Sequence, residues 1–331
     1  MKIISKPPKK VQKFIALLTA FGCAFCITGC GAGYEIPYTV NASSSSFRIV
    51  NREEAVSAAV PFASDLCVVS ENVAADSITM NASGAALFDI NTKETVYAKN
   101  VHEKLYPASL TKVMTALVAL KHGSTDMLLT ASENVTNLES DAQTCGIKPG
   151  DQMTLTQALH VLLINSANDA AIMIAEGIGG SVEGFAELMN QEALALGATN
   201  THFVNPHGLS DDNHYTTVYD IYLIMNEAIK YDMFNNIIGM SSYSTVYSDK
   251  EGNSKELNVK STNLFLHGEK ESPAGVTVYG GKTGTTNAAG HCLVLLSRDT
   301  SGNPYISVIL RADSRDELYT QMSELLNKIN N

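Results

Sequence analysis

Strand-like runs stand at both ends of the stretch Asp76 to Asn331 and helical periodicity fills its middle, so a sheet built from this chain has to join its two ends. Gly84 to Ile90 and Thr95 to Lys99 read as a hairpin across Asn91-Thr92-Lys93-Glu94. Val276 to Lys282, His291 to Ser297 and Tyr305 to Arg311 read as three further strands, the last two joined through the turn residues Asp299 to Asn303. Between them lie helices with legible starts. Thr154 and Gln157 form a capping box ahead of Leu155, Ala158, Leu159 and Leu162. Val182, Phe185, Leu188, Met189 and Leu196 share one face of a helix that Gly197 ends. Another helix begins near Thr217, and Ser314 with Glu317 opens a closing helix carrying Leu318, Met322, Leu325, Leu326 and Ile329. The pattern predicts an α+β fold: an antiparallel sheet of about five strands from both chain ends, packed on helices, with a helical subdomain inserted. A cleft between sheet and helices is the natural place for a site.

The chain ahead of this unit has a different texture. Lys2, Lys6, Lys9, Lys10 and Lys13 form a cationic start, and Phe14 to Ile27 is an apolar run of signal-peptide length. Ile27-Thr28-Gly29-Cys30 follows and resembles the bacterial lipobox, in which the cysteine is diacylated and becomes the first mature residue. The competing readings are an ordinary signal peptide or an uncleaved anchor with an incidental cysteine. The expected division is residues 1–29 as lipoprotein signal, 30–75 as lipidated Cys30 and flexible tether, and 76–331 as one globular domain. Ser43-Ser44-Ser45-Ser46 marks the tether, with a short helix over Arg52 to Val60 and a short strand over Leu66 to Val69. A coil of that length reaches roughly 35–40 Å, enough to hold a domain off the outer face of a bacterial membrane.

Charge and cysteine usage narrow the function classes. The formal net charge is −11, and losing the leading lysines makes it more negative, so no nucleic-acid partner is expected. With Cys30 carrying lipid, Cys67, Cys145 and Cys292 remain, too few for a disulfide framework and without metal-ligand spacing. His207, Asp211 and His214 lie close together, but Pro206 and Gly208 break any helical pairing of the histidines, so loop packing is favoured over zinc.

Three short motifs border the expected cleft. Ser109-Leu110-Thr111-Lys112 opens an apolar helix, and residues three apart share a face, so the hydroxyl and the amine can meet. The helix N-terminus favours negative charge at Ser109, and a desolvated lysine loses basicity enough to take a proton. Alone the spacing is weak, since Ser-x-x-Lys arises about once by chance in a chain this long. Ser166-Ala167-Asn168 sits where one apolar helical run stops and another, Ala170 to Ile178, begins; alone it is a turn. Lys282-Thr283-Gly284 ends a strand, where glycine lets a substrate backbone approach. Strict alternation sends Lys282 and Thr283 to opposite faces, so the reading requires a twisted edge strand.

In this order the three motifs resemble the signature of the penicillin-recognising serine enzymes. Tyr106 to Lys112, Asn165 to Ala171, Asn205-Pro206-His207-Gly208-Leu209, Gly281 to Thr286 and Ala289 to Val294 narrow the likeness. Together they resemble the low-molecular-weight penicillin-binding proteins, serine-type D-alanyl-D-alanine carboxypeptidases, from about Ser77 to the end. The resemblance implies that Ser109 attacks the bond between the last two D-alanines of a peptidoglycan stem peptide, with Lys112 as general base. It implies a proton relay through Ser166 and Lys282, and a grip on the substrate backbone by Asn168. The oxyanion would lie between the N–H groups of Ser109 and Thr285, with Gly284 between the motif's threonines, and Thr283 and Thr285 at the substrate carboxylate. β-Lactam antibiotics would acylate Ser109, and no cofactor or metal is implied.

Two departures stand out. Ala167 occupies a position where the family commonly has glycine. Counting back from Leu325-Leu326 puts Leu318 where the family usually has a carboxylate-binding arginine; Arg315, about one turn earlier, or Arg311 could substitute. Relatives often add a small β-domain and an amphipathic anchor after this helix, a task the lipid would take here. A serine β-lactamase is the nearest alternative, although no Glu-x-x-Leu-Asn loop is present to place a deacylating water. A non-catalytic cell-wall binding or sensor protein on the same scaffold is the other, and the intact Ser109, Lys112 and Lys282 weigh against it.

Overall fold

Every residue of the strand Gly84–Asp89 is buried, on both of its faces, and that fact sets the architecture. Successive strand side chains point to opposite sides, so a strand with no exposed face has to be covered twice. In the computed structural model, which describes residues 63–73 and 78–330, helices do the covering on each side.

In chain order, β1 (Gly84–Asp89) and β2 (Glu94–Lys99) form the expected hairpin, and a 3-10 turn, Ala108–Leu110, runs into α1 (Thr111–His122). β3 (Leu128–Thr130) and β4 (Gln152–Thr154) precede α2 (Leu155–Ile164), α3 (Asn168–Gly179), α4 (Val182–Ala195), α5 (Val218–Ala228) and α6 (Asp232–Ile238). After β5 (Ser242–Ser248), β6 (Ser254–Lys260) and the single turn α7 (Leu264–His267) come the long strands β7 (Thr277–Thr286), β8 (Gly290–Arg298) and β9 (Pro304–Ala312). α8 (Arg315–Leu326) then closes the unit.

The main sheet has the order β2-β1-β9-β8-β7, antiparallel throughout. It joins both chain ends, as the pattern predicts. One face carries Ala86, Phe88, Val294, Ile306 and Val308 into a core with α1 and α5, where Phe88 stacks on Tyr222 at 4.1 Å. The other face carries Ala85, Leu87, Leu293, Leu295 and Ile309 onto Leu318, Met322, Leu325 and Leu326 of α8. Each valine, leucine, isoleucine or methionine among them contributes about 1.5–3 kcal/mol by leaving water.

The helix starts fall where the sequence places them, although the capping box expected at Ser314 and Glu317 forms only its serine half. Thr154 and Gln157 complete both halves of a capping box, while Thr217 and Ser314 accept from Asp220 N and Glu317 N. Gly197, with φ 79°, takes the left-handed setting after α4.

A second sheet, β3-β4-β5-β6, is not anticipated from the sequence. Two of its strands have three residues each, too short for alternation to show. It is tied to α2 by Gln157 Nε2, which donates to Thr245 Oγ1 and Val246 O, both at 2.8 Å. Its last strand delivers the segment Ser261–Asn263 to the cleft described below.

The boundary expected at Asp76 lies inside packed chain. Cys67 is fully buried, Val69 is buried, and Val73 bridges Ala98. No strand forms over Leu66 to Val69, because hydroxyls of α5 replace a neighbouring strand: Cys67 N–H donates to Tyr222 Oη and Tyr219 Oη donates to Cys67 O, both at 2.8 Å. The signal, Cys30, the serine run and the helix expected over Arg52 to Val60 lie outside the described residues. Among the described residues, no helix is long and apolar enough to cross a membrane.

Candidate active site

Ser109 sits in the 3-10 turn at the mouth of α1, half-buried, on the floor of a cleft of about 580 Å³. One helical turn on, Lys112 is fully buried. Its amine touches three acceptors: Ser109 Oγ at 2.9 Å, Asn168 Oδ1 at 2.6 Å and the carbonyl of His207 at 2.6 Å. Burial, reinforced by the charge of Lys282 and partly offset by Asp169, holds this amine well below its ordinary value. A neutral lysine has two N–H groups and one lone pair. Two of its three partners are carbonyl oxygens, which only accept, so both N–H groups go to them. The lone pair is then left facing the Ser109 hydroxyl, the arrangement a general base needs.

Ser166 and Lys282 form the second pair. Ser166 joins α2 to α3 with φ 65°, an uncommon setting for a residue with a side chain, and it is buried. Lys282 Nζ donates to Ser166 Oγ at 2.9 Å and to Thr283 O at 2.8 Å. Burial brings the Lys282 amine down to about 7, so near neutrality it can both give and take a proton. β7 is the edge strand, as the reading requires. Thr283, Gly284 and Thr285 line the cleft, whereas Lys282 lies behind Ser166 and meets it through that hydroxyl. The two faces of the strand thus serve one site without sharing a direction.

Gly284 has a steric reason to be glycine. A Cβ there would stand 3.0 Å from Ser109 N and 3.1 Å from both Pro107 O and Ala108 Cβ. The backbones of β7 and the nucleophile turn therefore lie side by side. Thr285 is exposed at the rim and Thr283 Oγ1 contacts Thr262 Oγ1. Arg315 also lines the cleft with an exposed side chain, while Leu318 borders it as a buried apolar residue of the core below α8. Arg311, with φ 58°, is not among the cleft-lining residues.

Several contributors escape the sequence reading. Asp169, directly after Asn168, is buried, and its carboxylate accepts from Gly146 N at 2.9 Å, Ile147 N at 3.0 Å and Cys145 N at 3.1 Å. It pins the loop whose residues Glu139 to Gln143 form one cleft wall; Gln143 O in turn accepts from Asn168 N at 2.8 Å. An acidic residue in the first turn of a helix is the signal that could have drawn attention to it. Thr262 has no such signal. His207 enters through its backbone carbonyl, a role side-chain chemistry cannot reveal. Its ring accepts from Leu209 N at 3.2 Å, and burial holds it down to about 3.

Comparison with known proteins agrees with this geometry. A sequence profile of the D-alanyl-D-alanine carboxypeptidase family matches residues 69–314. The D-alanyl-D-alanine carboxypeptidase DacF of Bacillus subtilis is 34% identical over 255 residues, 74% of this chain and 61% of its own length. The D-alanyl-D-alanine carboxypeptidase DacA of Haemophilus influenzae is 30% identical over 237 residues, 70% of this chain and 57% of its own. The chain thus spans about three-fifths of the length of these curated relatives. The crystal structure of a Streptomyces DD-transpeptidase matches with a TM-score of 0.70 at 27% identity, over 76% of this chain and 98% of that one. With the motifs assembled around one cleft and the profile running almost the whole length of the described residues, the chain belongs to the D-alanyl-D-alanine carboxypeptidase family.

Proposed function

We propose that this protein is a penicillin-binding, serine-type D-alanyl-D-alanine carboxypeptidase that removes the terminal D-alanine from peptidoglycan stem peptides. The observation that carries the reading is the Lys112 amine, desolvated and held by Asn168 Oδ1 and His207 O so that its lone pair serves Ser109. Ser109 Oγ adds to the carbonyl of the penultimate D-alanine as its proton passes to Lys112. The carbonyl oxygen becomes an oxyanion between the N–H groups of Ser109 and Thr285, donors typically worth a few kcal/mol each. As the C–N bond breaks, the leaving nitrogen takes a proton from Ser166, which recovers one from Lys282. Water then adds to the ester, its proton returning through Ser166 to Lys282, and as the C–O bond breaks Ser109 takes its own proton back from Lys112.

Asn168 commits its oxygen to Lys112, leaving Nδ2 to hold the substrate backbone. Thr283 and Thr285, with Arg315 at the rim, receive the terminal carboxylate. β-Lactams enter by the same route and form a long-lived ester. Cys30 carries a lipid that keeps the enzyme on the outer face of the bacterial membrane, the reading supported by the charge, apolar run and small residues ahead of it.

The test is incubation with a pentapeptide ending in D-Ala-D-Ala. Free D-alanine, abolished by penicillin and spared by EDTA, is the expected result; release that EDTA abolishes and penicillin spares would overturn it. Rapid turnover of penicillin, in place of a stable adduct, would identify a β-lactamase. Release of Cys30→Ala protein from the membrane fraction checks the anchor.

A further inference from the structure

The segment from Asn205 to Leu209 and the histidine at 214 supply no side chain that touches the substrate in the mechanism above, yet they are built tightly against the nucleophile turn. Thr115 Oγ1 donates to Pro206 O at 2.6 Å, and Lys112 donates to His207 O. A Cβ on Gly208, whose φ is 89°, would fall 1.9 Å from Ala108 O. Ala108 itself is buried with φ 47°, a left-handed setting that glycine would take more readily. Something other than local preference holds it there.

The hydrogen bonds around it run in one direction. His214 Nδ1 accepts from Val204 N at 3.1 Å, so the imidazole proton is on Nε2. Nε2 lies 2.8 Å from Thr111 Oγ1, and Thr111 Oγ1 donates to Ala108 O, also at 2.8 Å. His214–Thr111–Ala108 is thus a chain of donors ending on a carbonyl, with His214 and Thr111 both buried. Ala108 O and Ser109 N belong to one planar peptide unit and point in opposite directions. Fixing the carbonyl toward Thr111 therefore fixes the N–H toward β7, where Gly284 passes close to Ser109 N.

We propose that Thr111 and His214 are positioning residues that lock the Ala108–Ser109 peptide plane and so aim the Ser109 N–H at the developing oxyanion. The kinetic part of this role rests on the proposed acyl-enzyme reading; the structural part does not. It predicts that a hydroxyl at 111 and a donor at 214 are needed, and their shape alone is not enough.

Four variants test it: Thr111→Val, Thr111→Ser, His214→Leu and His214→Gln, each with its thermal midpoint measured as a check on folding. Acylation by penicillin G is expected to slow about 10–100-fold in the Val and Leu variants, a misaimed oxyanion donor costing less than a deleted one. The dissociation constant of the initial complex stays within about 2-fold, because ground-state contacts are untouched. The Ser and Gln variants, which restore the donors, stay within about 3-fold of the parent. Folded Val and Leu variants that acylate at the parent rate overturn the proposal, as do Ser and Gln variants as slow as Val and Leu. A parent protein that forms no adduct refutes the proposed function instead. In that event the crystal structure of Thr111→Val decides: a turned Ala108–Ser109 peptide supports the lock, and an unchanged one overturns it.

Discussion

The two ends of the cleft are built differently. At the nucleophile end, Lys112, Ser166, Asn168 and Lys282 are all buried, each hydrogen-bonded, and two backbone positions, Ala108 and Ser166, are held at positive φ. At the end where the proposed mechanism puts the substrate carboxylate, Thr285 and Arg315 are exposed and the helix position expected to carry an arginine holds Leu318. One end is organised and dry in the structure as it stands; the other is open to water. Preorganised groups in a dry site act mainly on the transition state, whereas exposed, screened charges act weakly on binding. Chemistry and grip should therefore separate in kinetics.

The largest effect expected is that of Ser109→Ala, which should lower D-alanine release by about 10,000-fold or more and abolish the penicillin adduct seen by mass spectrometry. Activity retained by this variant would break the comparison at its root. Lys112→Gln should slow acylation by about 100–10,000-fold with little change in initial binding; stopped-flow acylation separates the two. Gly284→Ala places a methyl group against the nucleophile turn, and kcat should fall about 10–100-fold as Ser109 shifts, with a stability loss of about 1–3 kcal/mol. A variant unchanged in rate would mean that β7 and the turn move apart freely.

Lys282 allows a test by pH. Below about 7 both the folded and unfolded chains hold its proton, and the cost of burying that charge is fully present. Between about 7 and the ordinary lysine value of 10.5 the unfolded chain binds more protons, so stability rises with pH. Lys112, displaced in the same direction, adds to the trend. The slope from one such lysine is at most about 1.4 kcal/mol per pH unit, and Lys282→Met should flatten it in urea titrations at successive pH values. An identical slope in the variant would show that Lys282 is not the group responsible. The smallest effect belongs to Arg315→Ala: KM should rise about 2–5-fold with kcat unchanged, and the difference should shrink in about 0.5 M salt. A large fall in kcat would place Arg315 in the preorganised half and erase the contrast.

Much of this contrast could be read along the chain. Ser109 and Lys112 are one helical turn apart, so their meeting follows from helix geometry once Val113, Met114 and Leu117 identify the helix. Ser166 and Asn168 sit at the junction of two apolar runs, which alone reads as a turn. Only the resemblance of all three motifs together singles them out with Lys282 to Thr285, which lie within β7 and not at the strand end expected for them. What could not be read depends on contacts between distant segments. Cys67 docks on hydroxyls of α5 that lie more than 150 residues away, so the packed unit reaches further back than the boundary expected at Asp76. β3 and β4 exist because a partner pairs with them, and three residues carry no pattern of their own. Asp169 gains its meaning from the backbone of Cys145 to Ile147, and His207 from a carbonyl that any residue possesses.

The family resemblance of the joined motifs therefore singled out the residues with chemistry to offer, and local periodicity determined the five strands of the main sheet, the capped helices and the α+β class. Those elements follow from 3.6 residues per turn and from strand alternation, which a sequence carries in itself. Only the tertiary structure decided which amines lose their water, which carbonyls receive them, and that Lys282 works from behind Ser166. Burial and hydrogen-bond geometry are properties of segments brought together, and no single segment of this chain contains them.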